Sequence, residues 1–308
     1  MGMIIVDAIM KTRRANGPWV MVGSLGQLAT ATDPTGTWTM DACGFGTSEI
    51  LSVAYGNGYW VIGGYSGKLA TATDPTGTWT MRTSGFGTSG ILSVAYGNGY
   101  WVAVGGSGKL ITAIDPTGTW TMRTTGIVNY LTSVVYGNGY WVAVGGSGKL
   151  ITATDPTGTW TLRTTPFDPA YEDIVKVAYG NGYWVAVGND GKLITATDPT
   201  GTWTLRATPF PISLSIDTIE YGNGYWVAAG GWGDLMTATD PTGTWTLRTT
   251  PFPSTSGIYS LEYGNGYWVA GGSRSRLMTA TDPTGTWTMR GNPFSTGVND
   301  IIRCIATY

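Results

Sequence analysis

The chain has 308 residues, a formal net charge of −2 and no histidine, which removes Ser-His-Asp and Cys-His arrangements and the commonest metal ligand. Lys and Arg never cluster beyond Arg13-Arg14, so nucleic acid and acidic membranes are poor partners. Charged residues make up 12%, against a usual share of ~25%, and the 48 glycines are about twice the usual frequency, as expected of a turn-dense β solid with Thr-rich surfaces.

The first seventeen residues, MGMIIVDAIMKTRRANG, show no basic start, no uninterrupted apolar run and no small-residue cleavage site, and no transmembrane run follows. Residues Ile9–Arg14 read as a poor first strand, with charge where later units carry SVAY. From there the chain repeats. The string DPTGTWT begins at Asp33, Asp74, Asp115, Asp155, Asp198, Asp240 and Asp282, and its Trp recurs at spacings of 41, 41, 40, 43, 42 and 42 residues. A second Trp keeps step at Trp19, Trp60, Trp101, Trp141, Trp184, Trp226 and Trp268. A period in the low forties built from short β-rich runs is the signature of a propeller blade, whereas helical repeats would need amphipathic stretches that are missing here. The seven identical strings fit recent amplification or design equally well.

Within the third unit four strands are predicted, Leu92–Tyr96, Tyr100–Val104, Lys109–Ile114 and Thr119–Arg123, each bounded by Gly or Pro punctuation. Asn98-Gly99 between the first two is a tight-hairpin signal, and Asp115-Pro116-Thr117-Gly118 joins the last two. One such sheet has two faces to bury and cannot do so alone, so seven stack around an axis. Along the second strand Tyr100, Val102 and Val104 point one way and Trp101 and Ala103 the other, with small residues beside a large ring for interlocking between blades. The C-terminal run Asp300–Tyr308 reads as an extra innermost strand, predicted to pair near Trp19–Val22 in blade one and close the ring. The expectation is therefore an all-β, seven-bladed propeller of four-stranded antiparallel blades, one domain over 1–308. Cys43 and Cys304, three strand spacings of ~4.8 Å apart, are expected to be free thiols.

The repeated ATDPTGTWT resembles the Asp box, the SxDxGxTW signature of sialidase-type and related propellers: Asp and Trp keep the separation of five, although the Gly falls one position late. Such boxes occur in glycosidases, lectin-like domains, receptors, photosystem-assembly factors and viral tail proteins. In that family the box is a structural hairpin, so the resemblance implies that none of the seven Asp residues is catalytic or a metal ligand. The YGNGYWVAVG half is similar to repeats of phage tail or fibre proteins and bacterial surface proteins. This resemblance implies a virion setting, with a cytoplasmic chain as the alternative.

A sialidase-like site needs several converging Arg, whereas Arg82, Arg123, Arg163, Arg206, Arg248 and Arg290 recur in the outermost strand like surface features. Glu220 and Glu262, on innermost strands of adjacent blades where earlier copies carry Ala or Val, read first as polar substitutions near a wet channel; they are also the carboxylates that a glycoside hydrolase could use as acid and base. No catalytic residue, metal or cofactor is assigned.

Strand parity places the GNG and DPTG connections at one rim, which is nearly invariant. The opposite rim holds the second connections (GSLGQ, GGYSGK, GGSGK, GGSGK, GNDGK, GGWGD, GGSRSR) and the interblade links, which grow longer in blades four to seven. Drift in unconstrained loops would produce the same variation. Aromatic residues predicted to project from these turns, Tyr65, Tyr130, Tyr171, Trp232 and Tyr259, favour recognition because they bring stiff contact area with a polar handle. Asp168, Glu172, Asp173, Asp190 and Asp234 accompany them, as do Arg274 and Arg276. The expected ligand-binding set is thus Tyr65, Tyr130, Asp168, Tyr171, Asp190, Trp232, Asp234, Tyr259, Arg274 and Arg276. Expected partners are another structural protein or a host-surface glycan, with no nucleic acid, no membrane insertion and possible self-assembly. An intracellular assembly-factor propeller is a further alternative.

Overall fold

Asn98 and Gly99 both take positive φ, 47° and 81°, and the same pair of left-handed residues turns the first hairpin of blades two to seven. Asn tolerates this region and Gly has no Cβ to clash, so the strands on either side are locked two residues apart. In the third blade the strands span Ile91–Gly97, Tyr100–Gly105, Leu110–Ala113 and Thr121–Arg123. The outer two are shorter than the sequence suggests, because the DPTG turn continues into its Trp: the Trp120 indole Nε1 donates to Pro116 O at 3.1 Å.

The computed structural model describes residues 17–294, 297 and 300–308, which form seven four-stranded antiparallel sheets. Residues 9–14, and four positions of the seventh link (295, 296, 298 and 299), lie outside the described residues. The C-terminal strand Ile302–Ala306 is the innermost strand of blade one, pairing Val20 with Ala306, Met21 with Ile305 and Val22 with Cys304. The first and last parts of the chain thus share one sheet, and the ring has no open edge at that junction.

Each interface between blades is a separate apolar layer. Tyr100, Val102 and Val104 pack with Leu131, Trp141 and Trp160 of blade four, whereas Trp101 and Ala103 pack back against Val61 and Leu69 of blade two. The same division repeats round to the layer in which Val269 and Leu277 of blade seven meet Trp19 and Ile305 of blade one. Interlocking is tight at the first Gly of GNG: a Cβ on Gly97 would lie 2.4 Å from the Tyr136 Cβ of the next blade. Burial of the seven inner Trp rings is complete. Their indole N–H groups have no oxygen or nitrogen acceptor among the described residues, but in blades two to seven a Tyr ring sits tilted beside each, 4.8–5.1 Å between centroids.

Hydrogen bonds cross the interfaces near the axis. Ser52 Oγ accepts from the Val94 amide (3.0 Å), Ser93 from Val134 (3.2 Å) and Ser260 from Ile305 (2.9 Å), the last across the closing junction. At the outer wall the recurring Arg is half-buried and structural: Arg123 Nε donates to Thr112 Oγ1 at 2.8 Å, and five other blades repeat the bond. Blade one carries Asp41 instead, which accepts from Thr30 Oγ1 at 2.7 Å. Both cysteines are free. Burial pushes both thiols above the usual range, so neither is activated.

Candidate functional site

At the DPTG rim each Asp serves its own turn. Asp115 Oδ1 accepts from the Thr117 hydroxyl (2.7 Å) and amide (2.8 Å), and the Gly118 amide bonds to Asp115 O at 3.1 Å. These bonds from the Thr hold the carboxyl below the usual range, and Arg82 of the preceding blade adds to the effect. The same arrangement, closed by Arg290 acting on Asp33, links blade seven to blade one. A shallow cleft of about 360 Å³ opens here, lined by Tyr100, Ile114, Asp115, Arg123 and Thr157 among others.

The opposite rim is built from second connections and links, which hydrogen-bond to each other. The Gly106 amide donates to Gly90 O of the link entering its blade (3.0 Å), and the Tyr65 amide to Glu49 O (3.1 Å). In blades one to six the turn has two left-handed residues in succession, the second always Gly. The first is Ser66, Ser107, Ser147 or Asp190 in four blades, but Leu25 in blade one and Trp232 in blade six. In blade seven the pair is Arg274 and Ser275.

The predicted site residues separate into two groups. Tyr171 (84% exposed), Trp232 (57%) and Tyr65 (48%) stand out from this rim, and Asp190 and Arg274 are also exposed. Others are fastened into the fold. Tyr130 donates its hydroxyl to Asp173 Oδ2 at 2.5 Å, and burial together with that carboxylate pushes the phenol up to about 12. Asp173 Oδ1 also accepts from the Ser147 amide, so this pair staples the fourth link to the turn of blade four. Asp168 accepts from the Ala170 amide at 2.8 Å and donates its own amide to Glu172, which also bridges to Lys192. Arg276 donates to Ser256 Oγ at 2.5 Å. Tyr259 departs from the expectation: it lies in the inner strand Ile258–Gly264, half-buried, with Ser273 Oγ 3.3 Å from its hydroxyl and Arg303 5.8 Å from its ring. Asp234 is half-buried, and burial raises its carboxyl.

Sequence reasoning missed several members of this rim. Leu25, Val128 and Ile212 are exposed and apolar. Asp217, second in the inner strand of blade six, is pushed up to about 6 by burial. Its counterparts are Leu51, Leu92, Thr132, Val175, Tyr259 and Arg303, a ring as varied as the links that lead into it. Comparison of the copies position by position along the inner strand could have found it.

Glu220 and Glu262 occupy the strand position at which Ala54, Ala95 and Ala178 pack toward the next blade. Each is therefore directed at its neighbour's inner edge, while the six recurring Arg stay at the outer wall. The convergence that a sialidase-like site requires is not formed by these residues.

No family model matches the chain, and no curated protein matches it. Solved structures share the fold. One described as YCF48 bound to D1 peptide aligns at TM-score 0.68 with 17% identity, covering 86% of this chain and 89% of that one. YCF48 from Cyanidioschyzon merolae aligns at 0.68 with 15% identity, covering 84% and 90%. The WD40 β-propeller domain of Doa1 aligns at 0.68 with 13% identity, covering 86% and 89%. At these identities the likeness concerns the propeller architecture alone.

Proposed function

We propose that this protein is a non-enzymatic propeller whose variable rim binds a protein partner. The observation that carries the reading is the contrast between rims: one is spent on identical DPTG turns with Ile114 as its exposed large aliphatic side chain, while the other exposes Leu25, Val128, Tyr171, Ile212 and Trp232 on segments that differ from blade to blade. Large exposed apolar side chains on one face favour association with another surface. The absence of histidine and the separation of Glu220 and Glu262 from the outer Arg residues support a binding role over hydrolysis. One of the propellers that share the fold has been solved with a peptide bound, which fits the same reading. The setting proposed is a phage or virion appendage, supported by the YGNGYWVAVG resemblance.

Site-specific photocrosslinking tests this. A photoreactive residue at Tyr171 should form adducts with another protein in the native particle or cell, and one at Thr157 on the DPTG rim should form few. Adducts confined to Thr157 would refute the assignment. Crosslinking at neither position, together with selective retention on a glycan array, would favour a sugar ligand.

A further inference from the structure

All six Phe residues of the chain occupy one structural position, the fourth residue after the Arg that ends the outer strand (after Asp41 in blade one), where each is buried. In blades two, three and five a lysine from the second connection reaches back over this Phe. Lys68 Nζ bonds Phe45 O at 2.7 Å and stands 6.0 Å from the ring centroid; Lys109 Nζ bonds Phe86 O at 2.6 Å; Lys192 stands 5.9 Å from the Phe167 ring and pairs with Glu172. In blade seven Arg276 takes the position. The fold thus places a cation between the second connection and the link, against an aromatic face and oxygen acceptors.

Blade six keeps the Phe, Phe210, and replaces the lysine by Asp234. The ammonium is gone, a carboxylate stands in its place, and no protein donor among the described residues takes over at Phe210 O. Burial raises the Asp234 carboxyl, and no neighbouring cation lowers it again. Two residues earlier, Trp232 holds a left-handed backbone at φ 60°, where the corresponding turns of blades two to five carry Ser or Asp. A bulky residue in that region is an outlier, and its ring is more than half exposed rather than packed. The link on the other side presents Ile212, 83% exposed, and packs Leu214 under Gly231. The fold gains nothing from this combination of vacated cation, added acid and strained exposed ring.

We infer that the turn Gly231–Asp234 and the link at Phe210–Leu214 form a docking site for a lysine or arginine side chain of a partner polypeptide, which restores from outside the cation that this blade lacks. Asp234 and Phe210 O receive the charged head, and Trp232 and Ile212 flank the aliphatic stem. This deepens the variable-rim reading and rests on it.

Selection from a random dodecapeptide display library against the immobilised full chain tests the site. Asp234→Lys reinstates the residue found in four other blades, so loss of binding by this variant is not a folding defect. Enriched peptides should carry Lys or Arg beside apolar residues, and should bind Asp234→Lys and Trp232→Ser at least about tenfold more weakly than the natural chain. Replacing that basic residue by norleucine should weaken binding to the natural chain and leave binding to Asp234→Lys unchanged. Enriched peptides without a basic residue, undiminished binding to Asp234→Lys, or no enrichment over the bare support would each overturn the inference. Non-basic peptides that are lost on Tyr171→Ser would sink the cation site and leave the variable rim standing. Peptides indifferent to every variable-rim substitution would remove both.

Discussion

The two rims are made by the same antiparallel strands, yet they use their polar groups in opposite ways. At the DPTG rim the Asp carboxylate, Thr hydroxyl and Trp indole of each turn bond within four residues of themselves, so seven copies need only one sequence. At the other rim the turns bond to links from the preceding blade, and each link differs, so staples such as Tyr130–Asp173 and Lys192–Glu172 are local inventions. A turn that satisfies itself can be copied without change. A turn that depends on its neighbour changes with it and is free to present different side chains to the outside.

The largest effect comes from removing what both rims share. Deleting Asp300–Tyr308 takes away the inner strand of blade one, including buried Ile302 and Ile305, and should cost more than about 5 kcal/mol, enough to abolish cooperative unfolding. Calorimetry would show this; an unshifted transition would contradict the closure. Next, Trp160→Ala at the DPTG rim should cost about 3–5 kcal/mol in denaturant unfolding, since it empties a buried position and strips the turn of its indole bond.

Asp217→Asn should act in the other direction. The folded state holds the Asp217 carboxyl at about 6, above its unfolded value, so ionisation penalises folding at neutral pH and the penalty fades as pH falls through the folded value toward the unfolded one. The variant should therefore be more stable by about 1–2 kcal/mol at pH 7, with the difference vanishing below about pH 4. Chemical denaturation at both pH values reads the sign. Smallest of all, Tyr171→Ser should change stability by less than about 0.5 kcal/mol while reducing partner crosslinking from a photoreactive residue at exposed Val128. A stability loss comparable to Trp160→Ala would place Tyr171 among the structural residues and erase the contrast between rims.

The architecture was legible because its signals are local and repeated sevenfold. Asn-Gly dictates the hairpin, the Tyr-Trp-Val alternation assigns each face to one interface, and the orphan strand Asp300–Tyr308 can pair only with blade one. Boundaries shifted at the outer strand because the Trp120 indole extends the DPTG turn by two residues. The candidate rim was legible as a region but not as contacts. Tyr130 and Asp173 are 43 residues apart, and only the packing of one link over another turn brings them together. Tyr259 reads as a loop residue beside Ser and Gly, yet the inner strand begins at Ile258, and its ring stacks near Arg303 from the far end of the chain. The lysine that caps a Phe carbonyl 23 residues earlier was hidden for the same reason, and with it the meaning of Asp234.

Electron cryomicroscopy of the native assembly that contains this chain would test the division of labour most directly, by showing which rim a neighbour covers. Contact is expected through the second connections and links, centred on Tyr171 and Trp232, with the GNG and DPTG turns facing solvent. A neighbour seated on the DPTG turns, with Tyr171 and Trp232 left in solvent, would contradict it.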